Sequence, residues 1–166
     1  MKGGIIMYNE QVKELANDLL KAMDNNDFLN MAYLYDEILL RTGGKFASDT
    51  FIFAKIADGN TFPITKQIKN IIQFDDEPVM VHFTHNHLLW FSKMYVGATV
   101  ESEKKQVVYG KIYEMTDLRE KETYALSADM MKKLHLKVGD FIKITVGEEC
   151  FCINKFTREE VEKYII

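Results

Sequence analysis

The stretch YALSADMMKKLHLKVGDFIKITV, residues Tyr124 to Val146, changes its hydrophobic period twice within one short run. It begins like a strand. Ser127 is a strong N-cap residue, because its hydroxyl accepts from N–H groups that a helix start leaves without partners. Asp129 complements the positive end of the helix dipole, and Lys132 and Lys133 complement the negative end. Met130, Met131 and Leu134 share one side at helical spacing, which predicts a helix of about two turns. Leu136 and Val138 are then expected to re-enter the core. Gly139 permits a sharp turn and Asp140 can bond nearby backbone. Residues 141–146 alternate as a strand, with Ile142, Ile144 and Val146 on one side.

Reading outward from there, CFCIN (150–154) pairs with this strand through a two-residue turn expected at Gly147-Glu148. Thr157-Arg158-Glu159-Glu160 has the spacing of a capping box, opening a last helix that buries Val161, Tyr164 and Ile165. Upstream, TFIFAKIA reads as a strand that is apolar on both faces. Asp58-Gly59-Asn60 is a turn, and Ile64, Ile68, Ile71 and Ile72 form a short helical stripe capped by Thr65. VMVHFT, KMYVGATVE and QVVYGKIYEM read as further strands.

Before residue 45 the period is helical. Val12, Leu15, Ala16, Leu19, Leu20 and Met23 make one stripe; Phe28, Met31, Leu34, Tyr35 and Ile38 make a second. Asp27 is placed to cap the second helix, and the glycines of TGG (42–44) are placed to end it. So short a connection predicts an antiparallel helical hairpin. The expected class is α+β: a hairpin over residues 1–45, then a mainly antiparallel, β-rich, barrel-like domain over 46–166 with short helices and a C-terminal helix. The codons that encode Lys2-Gly3-Gly4 resemble a ribosome-binding sequence ahead of Met7, so residues 1–6 are expected to be non-native or disordered. Abundant Lys, Asn, Ile, Phe and Tyr suggest a low-GC bacterium, its phage or its plasmids.

With 166 residues, 47% hydrophobic and 12% aromatic, the chain can bury a sizeable core. Its formal charge of −4 argues against a broad basic surface. The two cysteines, Cys150 and Cys152, stand one residue apart, where a disulfide would be strained. Reduced thiols and a cytoplasmic location are the expectation. No apolar run approaches the roughly 20 residues of a membrane helix.

His82, His85 and His87 in VHFTHNHLLWFS are the candidate metal ligands, since His85 and His87 would share one face of a strand. The H-N-H resembles JAB/RadC-type metal hydrolases, which would make the chain a degenerate metal-dependent hydrolase. Leu88 stands where that family has proline, Ser92 comes early, and no acidic residue follows before Glu101. GGK at 43–45 is too short for a phosphate-binding loop. No cofactor is expected, and the chain reads as non-catalytic.

The order strand, LS-x3-KKL-x-L-K-V-G-D, strand, hairpin, strand over residues 106–154 resembles AbrB/SpoVT and MazE-type swapped-hairpin domains; double-psi barrels share the same unit. Ser127 replaces the family's proline and His135 its glycine. The resemblance implies an intertwined homodimer and a regulator that binds DNA through basic residues near the first hairpin. Here those residues are Arg119 and Lys121, with Lys132 and Lys133 on the helix. Residues 106–156 carry eight basic and eight acidic side chains, so the segment is neutral. Phosphate binding requires several cations acting together. The alternative function is a protein-binding module or inhibitor whose barrel is a scaffold without DNA contact.

Overall fold

The computed structural model describes residues 8–45, 49–72, 78–84, 88–93, 109–147 and 150–166. In chain order the elements are α1 (Glu10–Asp24), α2 (Phe28–Thr42), β1 (Thr50–Lys55), β2 (Thr61–Pro63), α3 (Lys66–Ile72), β3 (Val79–Thr84) and β4 (Leu89–Lys93). There follow β5 (Tyr109–Thr116), β6 (Thr123–Ala125), α4 (Ala128–Lys133), β7 (Phe141–Val146), β8 (Cys150–Phe156) and α5 (Arg158–Glu162). The protein is α+β, with an N-terminal helical hairpin and antiparallel pairing throughout the described strands. A six-stranded sheet runs in the order β1-β7-β8-β4-β3-β5, and β2 and β6 form a separate ribbon.

Local chemistry explains the central stretch. The Met130 N–H donates to Ser127 Oγ at 3.2 Å and starts α4. The helix stops because His135 takes a left-handed φ of +57°. His135 N then donates to Lys132 O at 3.1 Å, and Leu136 N to Met131 O at 2.9 Å. Those two bonds are a Schellman cap, and buried Leu136 and Met131 supply its apolar contact. Asp140 closes the next turn: its carboxylate accepts from Lys137 N at 3.0 Å, while its own N–H donates to Lys137 O at 3.1 Å. Val138 sits at the tip of that turn and is 47% exposed, so the expectation that it re-enters the core is corrected. A tight turn breaks the alternation that Leu136 and Val138 suggest.

Each sheet face has its own core. Ile52 and Ala54 of β1, Ile142, Ile144 and Val146 of β7, Phe151 and Ile153 of β8, Leu89 and Phe91 of β4, and Val79, Val81 and Phe83 of β3 pack with α4 and the β2–β6 ribbon. Phe91 and Phe151, opposite each other on β4 and β8, stack at 4.5 Å. Each such fully buried ring contributes about 1.5–3 kcal/mol. On the opposite face, Phe51, Phe53 and Phe156 join α1, α2 and α5 in a second core. Tyr35 of α2 meets all three rings edge-on, at 5.1, 5.6 and 5.4 Å. β1 is therefore buried on both faces, as its unbroken apolar run predicts.

The helical hairpin follows its caps. Val12 N donates to Asn9 Oδ1 at 2.9 Å, and Asn30 N to Asp27 Oδ1 at 3.3 Å. Gly43 ends α2 at φ +75°. Thr65 Oγ1 accepts from Ile68 N at 3.2 Å to cap α3. In the last helix Thr157 N donates to Glu160 Oε2 at 3.2 Å. The β7–β8 register pairs Val146 with Phe151, and Gly147 N donates to Cys150 O at 2.8 Å. Gly147 thus extends the ladder; Glu148, the other residue of the expected turn, lies outside the described residues. Of the strand expected at KMYVGATVE, only Lys93 lies within the described residues, at the end of β4; β5 begins at Tyr109, and the start of QVVYGKIYEM lies outside them.

Candidate interaction surface

The four basic residues proposed for DNA contact fall on two elements. Arg119 and Lys121 lie in the loop between β5 and β6; Lys132 and Lys133 lie at the end of α4. All four are exposed. Arg119 folds back on Asp117, with Nη2 to Oδ2 at 2.7 Å and Nε to both carboxylate oxygens at 3.1 Å. The guanidinium bonds hold the Asp117 carboxyl down at about 2. Lys133 lies 3.8 Å from the Asp129 carboxylate and above the rings of Tyr113 and Phe83, at 5.4 and 5.5 Å. The Tyr113 hydroxyl donates to Asp129, and its hydrogen bond with Lys133 raises the Lys133 ammonium above its ordinary value. Lys121 stands 5.8 Å over the Tyr124 ring. Lys69 of α3 donates to Arg119 O at 2.8 Å and adds a cation beside the same loop. Two of the four candidate cations thus already hold a carboxylate, which lowers what they can offer a phosphate.

His82 lies inside β3, 1% exposed, with Nε2 3.0 Å from the hydroxyl of buried Ser92 on β4. Burial lowers its pKa to about 4, so the ring is neutral at pH 7. His85 and His87 lie outside the described residues. Among the described residues no group of three His, Cys, Asp or Glu side chains is placed to hold a metal ion. Cys152 on β8 is buried, and that burial pushes its thiol up to about 12. A buried thiol that stays protonated at neutral pH behaves as a small apolar packing group.

A different surface is built at the outer edge of the sheet. β1 is a terminal strand: all six residues pair with β7 in unbroken register. Among the described residues no backbone hydrogen bond reaches its other edge. The opposite terminal strand, β5, is irregular, with register shifts around His82. Bulges of that kind blunt an edge against further pairing, and β1 has none.

α2 overhangs the open edge. At about 100° per residue, Phe28 and Tyr35 point at the sheet, while Met31, Leu34 and Ile38 point toward α1. The side facing away from α1 then carries Leu29, Tyr33 and Leu40. They are 81%, 62% and 55% exposed. Leu29 and Phe28 also wall a groove of about 330 Å³ whose floor is Ile52–Lys55 of β1 and whose far side is Pro63, Thr65 and Gln67. Asp36 stands within this stripe, between Tyr33 and Leu40, and Glu37 at its border; both are already paired, Asp36 with Lys45 and Glu37 with Arg41. The sequence carries the stripe, as apolar residues at i, i+4 and i+11. It stays hidden while the inward stripe of the same helix is read as the whole signal.

No family model, curated protein or solved structure matches this chain. Among the described residues, no helix is long and apolar enough to cross a membrane.

Proposed function

We propose that this chain is a non-catalytic regulatory protein that acts by binding protein, and that its binding surface is the exposed side of α2 together with the open edge of β1. One observation carries the reading. Leu29, Tyr33 and Leu40 lie on one side of a helix above an unbulged terminal strand whose outer edge takes no backbone hydrogen bond among the described residues, with an apolar groove between. Exposed apolar side chains scattered singly need no explanation, whereas three on one side of a helix beside an open sheet edge support an interaction surface.

The AbrB-like reading, a dimeric DNA-binding regulator, rests on the Ser127-capped helix, the Gly139-Asp140 turn and the following strand. Its electrostatics are unfavourable. Non-specific DNA affinity scales with the number of phosphates neutralised, and Arg119 and Lys133 each already face a carboxylate. A mobility-shift titration with random duplex DNA, run from low to moderate salt, separates the two. No retardation at low salt is the expected result. Retardation that weakens with salt, and disappears in Arg119→Ala/Lys121→Ala, would overturn the protein-binding reading in favour of DNA.

A further inference from the structure

We infer that the occupant of this surface is a second copy of the same chain, seated so that two β1 strands pair antiparallel across a two-fold axis and two α2 helices pack side by side above them. The inference rests on reading α2 and β1 as a protein-binding surface and names the partner. Three features select it.

First, the open edge specifies the backbone of its partner. A row of free N–H and C=O groups is satisfied by another strand, and β1 is itself such a strand, its outer groups unspent among the described residues. Second, the occupant has to present an apolar helix on the same side as its strand, to meet Leu29, Tyr33 and Leu40. A two-fold axis perpendicular to the sheet keeps the two faces in place, so α2 of the second copy arrives beside α2 of the first. Facing residues in an antiparallel pair share a sheet face, and this holds for β1 against itself when the axis passes through Ile52 or Phe53. Self-complementarity of this kind is what a two-fold interface requires.

Third, the charges permit it. An isologous contact brings each charge near its own image, which disfavours a surface rimmed with one sign. Here Asp36 lies within the stripe, between Tyr33 and Leu40, and Glu37 borders it, and each has its own cation, Lys45 and Arg41. Like-charge repulsion across the axis is therefore small.

Light scattering coupled to size exclusion tests this on the full chain, from micromolar to near-millimolar concentration. The expected result is twice the chain mass. Leu29→Lys/Leu40→Lys, at positions too exposed to disturb the fold, should return the mass to that of one chain with an unchanged thermal melt. Wild-type protein that stays monomeric throughout overturns the inference, and so does a dimer indifferent to the double substitution. Neither failure decides the DNA question, which the mobility shift reads independently of oligomeric state.

Discussion

His135 occupies a left-handed backbone conformation that only glycine, and to a lesser degree asparagine, adopts without strain. The two hydrogen bonds of the α4 cap hold it there. Replacing His135 by Gly should raise stability by about 1 kcal/mol, the usual relief for a side chain at positive φ. Urea melts would check it, and an unchanged or lower midpoint would contradict the assignment. His82 gives a pH dependence of known sign. Its folded pKa, about 4, lies below the ordinary value of 6.5 because burial disfavours the charged ring. Between those values the unfolded chain binds the proton and the folded chain does not, so stability falls as pH drops from about 6.5 to about 4. The loss is on the order of 3 kcal/mol. His82→Leu should flatten that part of the stability–pH curve. Ser127 and Asp140 were legible in the sequence because their bonds are local. Val138 was not, since the bonds between Lys137 and Asp140 set its direction and alternation does not.

The helices and the β7–β8 hairpin are written in caps and periods that a reader can find without a structure. Gly43 is one such signal. Its φ is +75° and no atom lies within 4 Å of an added Cβ, so backbone strain alone opposes substitution. Gly43→Ala should lower stability by about 1 kcal/mol, visible as a lower melting temperature. The β1 strand is half legible. Its apolar run predicts burial on both faces, and Phe51 and Phe53 do meet one core while Ile52 and Ala54 meet the other. That it ends the sheet is not local information. Strand order depends on β7 inserting between β1 and β8, about 90 residues away in the chain. The α2 stripe was missed for the same reason. Until α1 and the sheet are placed, nothing distinguishes the side of α2 that faces water.

For the molecule as a whole, net charge decides more than motif. The segment resembling AbrB-type domains is electrically neutral, and Arg119 of its basic loop is paired with Asp117. The apolar signal lies instead at the far edge of the sheet, where the helical hairpin and β1 share a core with α5. The hairpin is thus both a cover for the sheet and the part that presents the proposed binding surface. Its apolar row should make the wild-type chain associate in a way that salt strengthens or leaves unchanged, because burial of apolar surface is not screened. Association that dissolves with added salt would point to charged contacts elsewhere.

Amide hydrogen exchange across residues 50–55 tests the central claim most directly. Alternate amides of β1 bond to β7; the others face the open edge. If that edge is the binding surface, the outward amides are protected at high protein concentration. They exchange rapidly on dilution or in Leu29→Lys/Leu40→Lys. Protection of every second amide only, the same at all concentrations and in both proteins, would show an edge that nothing covers and would contradict the account.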